Sequence, residues 1–343
     1  MGLARGIFMI DGQAYIQGPK VDGKVRDKSE VLLYHMKKYD VDMCVIKSSG
    51  GYSNEFNAEM AEKYPDKFIA LCNDSDLQGS SQRGEVDWTV DAAAAEIEAC
   101  LKTGRYKGIG ESMARDRVTK KMWTWDERLE QICQLMDLAR KYKVPIAWHV
   151  GLPIGPLVPW IDLARSRAHD EVYDNGNPLL CHEVAAMYPD VPIVMSHGGI
   201  ELSGYYMQDY EKCLNVAASH KNVFLETGQW WAELYSKPLK DPNIGAKKLI
   251  WGCGWGEPHR QIWMPGEVPE TSNVGLLYGN SVRGVPMATD IWGWSLRELG
   301  RLNIPQDDLN LILGGNAAWV YQIPTPISHD LMFSTVDRGF ERT

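Results

Sequence analysis

Short, continuously apolar runs recur along the chain, and amphipathic stretches separate them. The runs lie at 7–11, 43–46, 68–72, 107–110, 144–149, 192–197, 222–226 and 248–252. Each is too short for a helix and is apolar on both faces, the pattern of a strand buried on both sides. The stretches between them carry helical spacing. Over 126–142, Leu129, Ile132, Cys133, Met136 and Ala139 fall on one stripe, a period of about 3.6 residues. Comparable helices are expected at 29–39, 54–64, 90–101, 177–188 and 205–219. Strand and helix therefore alternate, which implies a parallel sheet covered by helices. Eight such units favour closure into a (β/α)8 barrel. An open doubly wound sheet is the alternative, but it calls for a glycine-rich phosphate loop after its first strand. Here that strand leads into Asp11-Gly12-Gln13-Ala14-Tyr15.

Two of the runs end alike. Val144-Pro145-Ile146-Ala147-Trp148-His149 and Val191-Pro192-Ile193-Val194-Met195-Ser196-His197 each deliver a histidine at the end of a strand, and Gly198-Gly199 follows the second. In a barrel of this kind the chemistry gathers at the C-terminal ends of the strands. Glu111 closes the fourth run and Glu226 the seventh.

After the eighth run, periodicity is lost from Cys253 to Asp290. A loop of this length within a compact domain is expected to be functional, so 253–295 is read as a lid or an oligomer contact within one domain spanning 1–343. C-terminal helices follow. One begins at Pro305, and the next opens at Gly314-Gly315-Asn316, with Asn316 as its N-cap.

Composition narrows the function. The chain has 343 residues, is 44% hydrophobic and 24% charged, and carries a formal net charge of −9. That balance argues against nucleic acid and anionic membrane surfaces as partners, and no apolar run is long enough to span a bilayer. The seven cysteines are widely spaced with no CxxC pair, which fits a reducing, cytoplasmic setting. The expected partner is a small molecule, with homo-oligomerisation to a dimer or tetramer. Thirteen tryptophans are many for this length; Trp230, Trp231, Trp251, Trp255, Trp263, Trp292 and Trp294 crowd the last third. At a barrel mouth such a cluster suits a flat aromatic substrate. Arg260 and Arg283 are placed to hold a carboxylate.

Taken in order, these motifs resemble the amidohydrolase superfamily, in particular the amidohydrolase-related branch that includes aminocarboxymuconate-semialdehyde decarboxylase. The resemblance rests on Met9-Ile10-Asp11, Asn57-Ala58-Glu59, Tyr64-Pro65-Asp66, the two strand-end histidine motifs, Leu249-Ile250-Trp251-Gly252 and Gly315-Asn316-Ala317-Ala318. It implies hydrolysis or decarboxylation of a small, aromatic carboxylic or carbonyl compound. It also implies a divalent metal held by His-x-His after the first strand, a fifth-strand histidine and an aspartate after the eighth. This chain departs from that ligand set: Gln13 and Tyr15 stand at the His-x-His positions and Gly254 at the aspartate position.

Glu111, His149 and His197 offer a replacement, a three-ligand set with an open position for zinc or manganese. On this reading His197 is a ligand or general base, His149 a ligand or carbonyl-polarising group, and Tyr15 a proton donor to the developing oxyanion. Gln13, Glu226, Trp255, His259, Arg260 and Arg283 are the expected substrate contacts, with Glu257 beside them on the loop. Two other readings stay open: metal-free catalysis of a lactonase or isomerase type with no cofactor, and a non-catalytic barrel that serves as a binding or regulatory subunit.

Overall fold

The computed structural model describes residues 6–21, 24–48, 52–112, 124–150, 177–200, 207–227, 230–254, 291–326 and 336–339. Eight parallel strands form the barrel: β1 (Ile10–Ala14), β4 (Met43–Ile46), β5 (Phe68–Cys72), β6 (Tyr106–Ser112), β7 (Ile146–His149), β8 (Ile193–Ser196), β9 (Val223–Glu226) and β10 (Leu249–Ile250). They are neighbours in chain order. Gly12 N–H donates to the carbonyl of Trp251 at 2.9 Å, which brings the first strand against the end of the last. The chain is therefore a (β/α)8 barrel, as the alternation predicts.

Strand parity sorts the side chains. Val45, Leu71, Ala147, Val194, Phe224 and Ile250 point inward and fill the barrel. Their neighbours Ile46, Cys72, Trp148, Met195 and Leu225 face the helices. The helices form where the sequence supplies both a stripe and a stop. In α5 (Trp125–Tyr142), the Thr124 hydroxyl accepts from Glu127 N–H while the Glu127 carboxylate accepts from Thr124 N–H, a reciprocal capping box. Its buried stripe includes Ile132, Leu135, Met136 and Ala139, and Lys143 ends it in a left-handed conformation.

Several elements differ from the expectation. The first strand runs three residues later, at Ile10–Ala14 rather than 7–11. Its second half contains Gln13, a polar residue buried inside the barrel, where apolar patterning ends too soon. A hairpin of β2 (Gln17–Val21) and β3 (Lys24–Asp27) follows it. Helix α3 (Ser75–Gln82), with the sequence SDLQGSSQ, has no apolar period to announce it. Helix α8 (Ala232–Lys240), whose last turn contains Pro238, follows the seventh barrel strand.

Asn316 is not an N-cap. It lies in continuous helix, and the turn at Leu311–Gly315 runs directly into α11 (Asn316–Tyr321). Its buried amide instead donates to the carbonyls of Ala246 and Leu249 at 2.7 and 2.8 Å, and its Oδ1 accepts from Arg338. Asn316 thereby ties the C-terminal helix to the start of β10. Ala317, Ala318 and Tyr321 of that helix pack against the inward-facing strand residues.

Trp230, Trp251, Trp292 and Trp294 are buried in the layer between barrel and helices. They are core rather than a substrate-facing rim: all four are buried, and Trp251 shares the outward parity of Leu249. Trp251 Nε1 donates to Ser295 Oγ at 3.0 Å. Ile291–Ser295 form the start of α9 (Ile291–Gly300), at the end of the segment read as a lid. The rest of that segment from Trp255 to Asp290, including Glu257, His259, Arg260, Trp263 and Arg283, lies outside the described residues. Among the described residues no helix is long and apolar enough to cross a membrane.

Candidate active site

The inward parity that fills the barrel also builds its upper layer. Two residues beyond Val45, Leu71, Ala147, Val194 and Phe224 stand Lys47, Asn73, His149, Ser196 and Glu226. The barrel interior thus turns from apolar to polar within one strand repeat, at the C-terminal end where such barrels carry their chemistry.

Glu111 and His197 join this layer by departing from regular strand geometry. Ile109 packs outward, so strict alternation would send Glu111 outward too. The register of β6 against β7 shifts between Ile109 and Ser112, and such an irregularity re-aims a side chain. His197 follows β8 in a tight turn with φ 64°. A left-handed histidine costs about 1–2 kcal/mol. The turn is held by its surroundings: Trp230 Nε1 donates to the His197 carbonyl at 3.3 Å. At Gly199, with φ +81°, a Cβ would stand 2.5 Å from the backbone of Asp209 and Tyr210. Only glycine lets the helix that follows pack this close.

The result is a compact cluster. Ligand atoms of Glu111, His149 and His197 all lie within 4.8 Å of one another. His197 Nε2 is 3.2 Å from Glu111 Oε1, and the two imidazole centroids are 4.9 Å apart. Tyr15 donates its hydroxyl proton to Glu111 Oε2. Gln13 Nε2 donates to the Tyr15 oxygen at 3.0 Å and toward Glu111 Oε2 at 3.3 Å. The backbone carbonyl of Glu111 accepts from Asn73 Nδ2 at 3.0 Å. Gln13 and Tyr15, the residues at the His-x-His positions, thus hold the second oxygen of the carboxylate.

Electrostatics favour an ionised Glu111. Burial alone would push its carboxyl up, but His149, His197 and the Lys47 ammonium together outweigh burial and hold it well below the usual carboxylate range. The donor set fits a divalent cation by its chemistry and spacing: one carboxylate with its second oxygen anchored, and two imidazoles, which ligate in their neutral form. In a tetrahedral zinc shell, ligand atoms stand about 3.3 Å apart, close to the His197–Glu111 separation.

Beside this set lies a second buried group. Lys47 Nζ donates to Glu226 Oε2 and to Ser196 Oγ, each at 3.1 Å, and both charged side chains are fully buried. Burial pushes the Glu226 carboxyl up, against the opposing pull of Lys47 and His197. Lys47 and Asn73 carried no sign in the apolar periodicity, because each falls one step beyond its strand. Continuing the period of two by one residue would have found both.

Asp11 sits apart from this cluster. It is fully buried, accepts from the N–H groups of Gln13 and Cys253 at 2.9 Å each, and accepts from Trp292 Nε1. It fastens β1 to the end of the eighth strand. Desolvation raises its pKa to about 7 against the pull of these donors.

The amidohydrolase family model matches residues 51–323 of the chain. This protein belongs to the amidohydrolase family. Solved structures share its fold, among them the following three. An uncharacterised TIM-barrel protein from Bordetella bronchiseptica is 18% identical, with a TM-score of 0.54 over 86% of this chain and 82% of that one. The 5-carboxyvanillate decarboxylase LigW from Sphingomonas paucimobilis is 13% identical, with a TM-score of 0.55 over 93% of this chain and all of that one. An amidohydrolase from Burkholderia multivorans with bound zinc is 10% identical, with a TM-score of 0.53 over 92% of this chain and all of that one. No curated protein matches the chain.

Proposed function

We propose that the protein is a hydrolase or carbon–carbon lyase acting on a small carbonyl or carboxylic compound with an aromatic body, and that Glu111, His149 and His197 hold a divalent zinc or manganese ion. The observation that carries this reading is the convergence of one carboxylate and two imidazole ligand atoms within 4.8 Å at the ends of three adjacent strands. When bound there, such an ion would polarise a carbonyl or acidify water. Gln13 and Tyr15 fix the orientation of Glu111, as hydrogen bonds to a ligating carboxylate do. A substrate oxygen that replaced Glu111 as the partner of the Tyr15 hydroxyl would receive its proton, so Tyr15 is the candidate acid. The low exposure of His149 and His197 weakens solvent screening of these interactions.

Elemental analysis of the purified protein tests the reading. The expected result is about one zinc or manganese per chain, lost in Glu111→Ala and in His149→Ala, with turnover among aromatic carboxylates, β-diketones, amides and lactones. Because a structural neighbour is a carboxyvanillate decarboxylase, hydroxylated benzoates are the first substrates to assay. Metal-free protein with an activity that resists chelators would overturn the reading.

A further inference from the structure

A lysine and a glutamate, both fully buried, meet at the top of the barrel: Lys47 of the second barrel strand's end and Glu226 of the seventh, 3.1 Å apart. Burying such a pair is rarely a gain in stability, because desolvation offsets the attraction. Its position speaks to a different role. Lys47 also donates to Ser196, the residue before His197. Ser196 is in turn the register partner of His149 across β7 and β8, so the pair abuts two of the three candidate ligands.

Glu226 also occupies space that belongs to the eighth strand. A Cβ on Gly252 would stand 2.2 Å from Glu226 Oε1, so the glycine there leaves room for this carboxylate. Oε1 of Glu226 accepts no hydrogen bond from the described residues.

Resting on the cation reading above, we infer that Lys47 and Glu226 are a positioning pair that sets how strongly the Glu111–His149–His197 set binds a divalent cation. Glu226 contributes attraction, and Lys47 both anchors Glu226 and opposes the cation. The two residues act on the cation with opposite sign. A pair that only braced the barrel would act with the same sign.

The test is zinc affinity of the full-length protein, measured by competition with a chromogenic chelator on variants checked for folding by circular dichroism. Lys47→Met is expected to tighten zinc binding by about tenfold or more, and Glu226→Gln to weaken it by about tenfold or more, as unit charges near a poorly screened site do. The double variant Lys47→Met/Glu226→Gln leaves no charge unpaired and is expected to bind within about threefold of the wild type, as removal of two opposed charges requires. Two folded single variants that both weaken binding, or both leave it unchanged, would overturn the inference while leaving the cation reading intact. Should a single variant fail to fold, a tenfold change in the double variant would overturn it. Wild-type protein that takes up no zinc or manganese would remove the cation reading and this inference with it.

Discussion

Tyr15 donates its hydroxyl proton to Oε2 of Glu111, so a side chain of the β1 end orients a carboxylate of the fourth barrel strand. Gln13 supports the same contact from two residues away. The pair stands where the resemblance expects metal ligands and has the geometry of groups that orient a carboxylate.

Replacing Tyr15 by Phe removes this donor and the acceptor of Gln13 Nε2, while Gln13 keeps its own contact to Glu111 Oε2. Loss of a hydrogen bond to a ligating side chain weakens metal binding by roughly 10–100-fold. Tyr15→Phe is therefore expected to keep its fold and to lose metal in that range, read by chelator competition. Loss of turnover with metal affinity unchanged would show that Tyr15 acts as the acid alone and does not set the metal affinity through Glu111.

The barrel was legible because its strands are apolar on both faces, and its eight runs coincide with the eight strands to within a few residues. His149 was legible for the same reason, since parity alone places it inside beyond Ala147. Glu111 and His197 are another matter. Each reaches the site through a local irregularity, a shift of register in β6 and a left-handed turn after β8, and no periodicity encodes either. Their place at the ends of apolar runs, together with the resemblance, marks them as candidates. Lys47 was missed because a charged residue just past an apolar run reads as a solvated loop. Asn316 was misassigned because a Gly-Gly-Asn sequence looks like a helix start, whereas here the helix passes straight through it.

Asp11 predicts a pH dependence whose sign can be worked out. Its carboxyl titrates near 3.8 when unfolded and about 7 in the folded protein. Between these values the folded state binds the proton more tightly, so Asp11's contribution to stability is full below about pH 4 and is lost as pH rises toward 7. The loss is at most about 1.4 kcal/mol per pH unit. Asp11→Asn turns an amide toward N–H donors and is expected to destabilise by about 2–4 kcal/mol. Urea denaturation at pH 5 and pH 7.5 should show that deficit shrinking at the higher pH. A deficit that grows with pH would mean the folded protein keeps Asp11 ionised.

The turn at His197 stores strain. At φ 64° a glycine is at ease and an alanine is not. His197→Gly and His197→Ala both remove the imidazole, so their difference reports the backbone alone. We expect the glycine variant to be more stable than the alanine variant by about 1 kcal/mol, with both inactive and both depleted of metal. Equal stability of the two variants in urea would show that the turn relaxes once the imidazole is gone.

Asn316 carries a load that its sequence context hides. Its amide satisfies two buried carbonyls, Ala246 and Leu249, and its Oδ1 receives Arg338. Alanine at this position removes these bonds at the foot of the eighth strand and leaves the Ala246 carbonyl only its bond from Leu249 N–H. Each buried group so stranded costs about 1–3 kcal/mol, so Asn316→Ala is expected to lose roughly 3–5 kcal/mol. Aspartate keeps the acceptor for Arg338 but sets a carboxylate oxygen against the carbonyls, so Asn316→Asp should be no better than alanine. An Asn316→Asp variant of near wild-type stability in equilibrium denaturation would show that Arg338, and not the two carbonyls, is the contact that fixes α11 beneath the barrel.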